Sequence, residues 1–86
     1  MKVAVYDTYV RKKDGRIMHF DILVPSQMSN LESIYSYGKE YRTGKGQAGQ
    51  PLSARECRFC HIEKATDEMK RQITEKGYYI LEMEGC

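Results

Sequence analysis

Two stretches near the start of the chain alternate apolar and polar side chains with a period of two, which is typical of β-strands. The first, Lys2 to Val10, carries β-branched and aromatic residues on both of its faces. The second, Arg16 to Val24, has its apolar residues at even positions, and Pro25 ends it. Because the Asp14-Gly15 pair between them is common in tight turns, we predict a β-hairpin.

The apolar pattern also predicts which residues face each other in this hairpin. Val3 and Val5 are the best apolar positions of the first strand and are odd-numbered, whereas the apolar positions of the second strand are even. Bringing both sets onto one face requires a loop of two or four residues. This register predicts Asp7 on the core-facing side and places His19 and Asp21 on the opposite face.

The segment from Ser26 to Tyr41 has apolar residues at helical spacing, and Ser29 or Asn30 can cap its start. The loop from 42 to 51 contains a literal Gly-x-Gly-x-x-Gly string. A dinucleotide fingerprint follows a strand and opens a helix, whereas this string follows a helix, so a Rossmann site is not predicted. Arg42 and Lys45 beside these glycines are a candidate anion-binding site, and a flexible connector is the alternative.

A second helix is predicted to begin after Thr66, which can cap it, and to end at Lys76 and Gly77. Tyr78 to Glu84 alternates again and is predicted to be the last strand. Residues 1–86 therefore predict a single α+β domain in the order β-β-α-β-α-β. The expected architecture has two layers, with two helices packed on one face of a four-stranded mixed sheet and a right-handed crossover between the last two strands.

The segment between the loop and the second helix carries Cys57, Cys60 and His61 and supports two interpretations. As a strand, it points Cys57 and His61 to one face and Cys60 to the other, so that the two thiols share neither a metal ion nor a disulfide. As a helix, it gathers all three on one face, and a capping box at Ser53-x-x-Glu56 supports that interpretation. A short turn at 53–56 followed by a strand to about Glu63 is the preferred prediction.

The Cys-x-x-Cys-His string at 57–61 resembles several chemical motifs, but it completes none of them. Haem attachment takes place outside the cytoplasm, and no export signal is visible. Structural zinc needs two convergent ligand pairs, and only one Cys-x-x-Cys is present, although Cys86 and either histidine are possible further ligands. A thioredoxin-type dithiol lies at a helix start after an early strand. The sequence therefore predicts no metal site and no cofactor.

Composition adds few constraints. The net charge of +2 is too balanced to indicate a nucleic-acid partner. No stretch is long and apolar enough to predict a membrane span or a signal peptide, so we expect a cytoplasmic protein. Three cysteines, an odd number, argue against a disulfide framework. The partner is unknown, and a homodimer formed through an edge strand is possible.

Four strings spread over nearly the whole chain are specific when taken together: MKVAVYDTYV, GRIMHFDILVP, LSARECRFCHIEKA and GYYILEMEGC. On these strings the chain resembles a family of small bacterial proteins catalogued only as a domain of unknown function. The resemblance implies a compact, stand-alone α+β domain from a bacterial cytoplasm. It implies no activity, cofactor or catalytic residue.

The leading functional prediction is a small non-enzymatic binding or interaction domain. Its expected working surface is the sheet face that carries His19 and Asp21, with His61 as a further candidate, together with the loop from Arg42 to Gln50. The alternative is a thiol- or metal-dependent activity at the 57–61 segment, but no complete set of nucleophile, base and orienting residue is apparent in the sequence. The candidate surface residues are Asp7, His19, Asp21, Cys57, Cys60 and His61.

Overall fold

A four-stranded sheet forms the centre of the computed structural model, which describes residues 1–86. The elements in chain order are β1 (Lys2–Arg11), β2 (Ile17–Pro25), α1 (Leu31–Gly44), β3 (Cys57–Lys64), α2 (Asp67–Lys76) and β4 (Tyr79–Glu84). The α+β class and the order β-β-α-β-α-β confirm the prediction from sequence. The segment that carries the two neighbouring cysteines is a strand, β3, and a turn precedes it.

The sheet has the strand order β3-β1-β2-β4, and every neighbouring pair is antiparallel. The prediction of a mixed sheet is therefore wrong in this detail. The reason is that β3 and β4 add to opposite edges of the β1–β2 hairpin, so α2 joins two strands that are not neighbours. The expected right-handed crossover between parallel neighbours does not occur.

The β1–β2 hairpin closes with a three-residue loop, because the backbone N–H of Lys12 donates to the carbonyl of Arg16 at 2.7 Å. Gly15 ends this loop with a φ of 91°, a left-handed conformation that glycine adopts without strain. Residues of the same parity therefore face each other across the hairpin, and Asp7 lies opposite Asp21. The prediction of a two- or four-residue loop, which placed these two carboxylates on opposite faces, is wrong.

Same-parity pairing leaves apolar side chains on both faces of the sheet, and each face is covered by one helix. We call these the α1 face, which carries the even-numbered residues of β1 and β2, and the α2 face, which carries the odd-numbered ones. On the α1 face the core includes Met18, Phe20, Ile22 and Ile34, and on the α2 face it includes Val3, Val5, Leu23, Met69 and Ile73. The expectation of two helices on one face is wrong for this reason, and the domain has three layers.

The helix ends follow their local signals. Asn30 caps α1 by accepting a hydrogen bond from the backbone N–H of Ser33 at 3.2 Å. Thr66 caps α2 in the same way, with Met69 as the donor at 3.2 Å, and Gly77 ends it with a φ of 92°. Neither helix combines the length and the apolar character needed to cross a bilayer.

Packing on both faces predicts that two adjacent residues of β2 are each costly to truncate. Ile22 is 0% exposed on the α1 face, and Leu23 is 1% exposed on the α2 face. Ile22→Ala and Leu23→Ala are each expected to lower the free energy of unfolding by about 2–5 kcal/mol, measured by urea denaturation. Leu31→Ala is the matched control, since Leu31 is 46% exposed, and we expect a change within about 0.5 kcal/mol. A small effect of Leu23→Ala alone would contradict a covered α2 face.

Candidate functional site

A β-bulge in β3 brings Cys60 and His61 to the same face of the sheet. Along β1, Tyr6 pairs with Phe59 and the preceding residue Val5 pairs with His61, so β3 contains one additional residue between these pairs. In a regular strand, consecutive residues point to opposite faces, which is how the sequence analysis separated Cys60 from His61. The extra residue reverses the alternation, and both side chains lie on the α2 face.

The thiols of Cys57 and Cys60 lie on opposite faces, as the strand interpretation predicts. Cys57 is buried in the core of the α1 face, and burial raises the pKa of its thiol. Cys60 is exposed, and Cys86 in the tail donates to the backbone carbonyl of His19 at 3.3 Å. All three cysteines are free, and no metal ligand set is shared by Cys57 and Cys60.

Asp7, His19 and Asp21 meet on the α2 face where β1 and β2 pair. The Nε2 atom of His19 lies 3.7 Å from Oδ1 of Asp7 and 3.8 Å from Oδ1 of Asp21. One ligand atom from each residue lies within 4.8 Å of the other two. These distances are too long for direct hydrogen bonds, but they are within a few tenths of an ångström of the roughly 3.4 Å that separates two ligand atoms on a tetrahedral cation.

Two polar atoms of this cluster are buried and have no hydrogen-bond partner. They are Nε2 of His19 and Oδ1 of Asp21, and Asp21 as a whole is only 8% exposed. A buried polar atom without a partner destabilises a fold by about 1–3 kcal/mol. Tyr9 holds the His19 ring in place by stacking on it, with ring centroids 4.1 Å apart and planes within 12°. The cluster is therefore a rigid arrangement of ligand atoms with unmet bonding capacity.

Asp7 and Asp21 titrate as a coupled pair. Burial, followed by the proximity of the Asp7 carboxyl group, raises the pKa of Asp21 to about 6. The neighbouring Asp21 carboxyl group lowers the pKa of Asp7, and the nearby His19 acts in the same direction. The two carboxylates therefore ionise at different pH values, as expected for like charges in close contact.

Cys60, His61 and Glu63 form a second line of contacts on the same face. Nδ1 of His61 lies 3.3 Å from Sγ of Cys60, and Nε2 lies 2.8 Å from Oε1 of Glu63. The order is that of a nucleophile, a base and an orienting carboxylate. Partial desolvation, followed by the charge of Asp7, raises the pKa of the Cys60 thiol, which disfavours the reactive thiolate.

The anion-binding site considered for the glycine-rich loop is not assembled. Arg42 lies in the last turn of α1, where it donates to the carbonyls of Gln50 at 2.8 Å and Lys39 at 3.1 Å. Lys45 forms an ion pair of 2.9 Å with Glu82. Both cations are engaged within the chain, so the loop offers no free pair of positive side chains to an anion.

Sequence reasoning named five of the side chains that meet on the α2 face, and missed Glu63 and Tyr9. The five are Asp7, His19, Asp21, Cys60 and His61. Glu63 was detectable, since it stands two residues after His61 in a predicted strand and must share its face. Tyr9 was not, because its contact with His19 depends on the hairpin register.

A family model described as a domain of unknown function (DUF2024) matches residues 1–83. The NMR structure of a protein from Nitrosomonas europaea (NE1680), a structural-genomics target, is similar over 100% of this chain and 99% of that chain. The two are 42% identical in sequence, with a TM-score of 0.87. No curated protein matches the chain. These similarities cover the whole fold and leave its function to be argued from the side chains.

The coupled carboxylates predict a distinctive dependence of stability on pH. The folded protein holds a proton on Asp21 up to about pH 6, whereas the ordinary pKa of 3.8 applies after unfolding. Because the folded state binds this proton more tightly than the unfolded state does, the ionised Asp21 carboxylate lowers the free energy of unfolding above about pH 6. This loss of stability shrinks as the pH falls toward 4. Asp21→Asn is therefore expected to raise the free energy of unfolding at pH 7 more than at pH 5, measured by urea denaturation.

The matched control for this measurement is Asp14→Asn. The Asp14 carboxyl group is exposed, and its hydrogen bond with Arg16 lowers the pKa of this group. Replacing Asp14 is therefore not expected to raise the free energy of unfolding at pH 5 or at pH 7. An effect of Asp21→Asn that is equal at the two pH values would contradict the raised pKa of Asp21.

Proposed function

The chain belongs to the DUF2024 family of domains of unknown function, and we propose that it acts as a metal-ion-binding domain through Asp7, His19 and Asp21. The observation that carries the proposal is the convergence of three ligand atoms, two of which are buried without a hydrogen-bond partner. A divalent cation between them satisfies both atoms and offsets the repulsion of the two carboxylates. No metal site was expected here from the sequence, because each ligand set considered contained cysteines.

The ligand types favour a transition metal. One imidazole nitrogen and two carboxylate oxygens suit zinc, manganese or iron, whereas calcium and magnesium prefer oxygen ligands alone. Structural zinc sites are closed by four protein ligands, but three ligands leave a coordination position free for a further molecule. The free position allows the bound metal ion to take a further ligand, in line with the expected binding domain. The stacked Tyr9 fixes the orientation of the His19 imidazole.

Metal binding is tested by isothermal titration calorimetry of chelator-treated protein with zinc chloride and, in parallel, manganese chloride. We expect one ion per chain. His19→Ala and Asp21→Ala are each expected to weaken binding by about tenfold or more, because each removes one of three ligands. Circular dichroism establishes beforehand that each variant is folded.

His61→Ala is the matched control, because it removes an imidazole from the same face outside the three-ligand cluster. It is expected to keep the affinity of the unchanged protein. The assignment is wrong if the unchanged protein does not bind either ion, or if His61→Ala weakens binding as much as His19→Ala does.

A second candidate function is thiol chemistry at Cys60, which is favoured by the contacts that run through His61 to Glu63. Cys57 takes no part in this candidate, since it is buried on the α1 face. The raised pKa of the Cys60 thiol places this function second, because the thiolate is the nucleophile.

The thiol candidate predicts a pattern of labelling with iodoacetamide, read by peptide mass spectrometry. Cys60 and Cys86 are exposed and are expected to react in the native protein, whereas the buried Cys57 is expected to react only after unfolding. If the imidazole of His61 assists Cys60, His61→Ala slows labelling of Cys60 and leaves the rate at Cys86 unchanged. If Cys60 is labelled at the same rate in the unchanged protein and in His61→Ala, His61 does not act as a base for this thiol.

A further inference from the structure

An open cavity of about 490 Å³ lies directly beside the proposed metal site, and Asp7 belongs to both. Its lining includes two arginines, Arg55 and Arg58, and the ring of Tyr9; Phe59 also borders it, but its ring packs edge-on against Tyr6 of the α1 face. These side chains come from β1, from β3 and from the turn that precedes β3. The three-ligand cluster and the cavity therefore adjoin each other through Asp7.

Arg55 and Arg58 differ from the other four arginines of the chain because their guanidinium groups have no partner within it. The others are engaged: Arg16 and Arg71 form ion pairs with acidic side chains, and Arg11 and Arg42 donate to backbone carbonyls. A guanidinium group has five N–H donors in a planar fork that matches the oxygens of a carboxylate or a phosphate. Two such groups at one cavity are suited to binding an anion.

The acidic residues nearby do not form ion pairs with these arginines. Glu56 stands between them in sequence, but its Oε1 atom accepts hydrogen bonds from both the backbone N–H and the hydroxyl of Ser53, each at 2.9 Å. Asp7 is the cross-strand partner of Arg58, but its Oδ1 atom is directed to His19. A divalent cation balances the two carboxylates of its own site, so the two arginines outweigh the single charge of Glu56 and the cavity keeps a net positive charge.

We infer that this cavity binds a small organic anion whose carboxylate or phosphate group takes the free position on the metal ion and pairs with Arg55 and Arg58. The inference rests on the proposed metal-binding function. Tyr9 is 49% exposed, and its ring offers a surface to the apolar part of the anion. Recognition then combines metal coordination, two charge-assisted hydrogen-bonding groups and contact with an aromatic ring.

The probes for this inference are benzoate and phenyl phosphate, each titrated into zinc-bound protein and followed by amide chemical shifts. We expect saturable shifts at residues 55–60 for at least one of the two, and the comparison establishes whether the site prefers a carboxylate or a phosphate. Benzamide has the shape of benzoate without its charge and is expected to give no saturable shift. Absence of saturation with both anions, or equal binding of benzamide, would overturn the inference.

Variants separate the cavity from the metal site. Replacing both arginines, Arg55→Gln with Arg58→Gln, is expected to weaken anion binding by about tenfold or more without weakening zinc binding, because it removes positive charge beside the cation. Arg71→Gln, in which an ion-paired arginine on α2 is changed, is the matched control and is expected to retain anion binding. Unchanged anion binding in the double variant overturns the role of the arginines and leaves the metal site in place.

Asp21→Ala tests the role of the metal ion in holding the anion. This variant lacks one metal ligand and is expected to lose most of its anion affinity. An unchanged affinity would overturn the claim that the anion occupies a coordination position. A failure of the unchanged protein to bind metal would overturn the proposed function itself, and it is measured separately by calorimetry.

Discussion

The register of the β1–β2 hairpin is the constraint on which the rest of this structure depends. A three-residue loop that ends in a left-handed Gly15 pairs residues of like parity. Apolar side chains then occur on both faces of the sheet, and each face needs a helix to cover it. The same register sets Asp7 opposite Asp21 and Tyr9 opposite His19. One loop length therefore determines the number of layers in the fold and the composition of the polar cluster.

The order of elements could be predicted from sequence because it depends on local signals, and the register could not. Asn30, Thr66 and Gly77 cap their helices through contacts within one turn, which a reader of the sequence can recognise. The hairpin register depends on loop length, and a Gly15 preceded by aspartate fits both a two-residue and a three-residue loop. The first strand is apolar on both faces, so its pattern did not favour either register.

The candidate site was predicted residue by residue, but its assembly was not. Asp7, His19, Asp21, Cys60 and His61 were all named from their chemistry. The expected register separated Asp7 from His19 and Asp21, however, and a regular third strand separated Cys60 from His61. The bulge at Cys60 has no sequence mark, since neither glycine nor proline accompanies it. Shifts of one residue reverse the face of every following side chain, which makes a sheet site harder to predict than a helix cap.

Keeping such a cluster costs folding stability in a small domain. An 86-residue chain has a thin core, and helix α2 packs on only one end of its face, around Val3, Val5 and Leu23. The other end holds Asp21, whose carboxyl group is nearly buried, and this burial raises its pKa to about 6. Apolar residues of similar size in its place would often stabilise a protein. The cost is offset once a cation binds the folded state alone, because binding adds to the free energy of unfolding. The fold and the proposed function are coupled through the same three side chains.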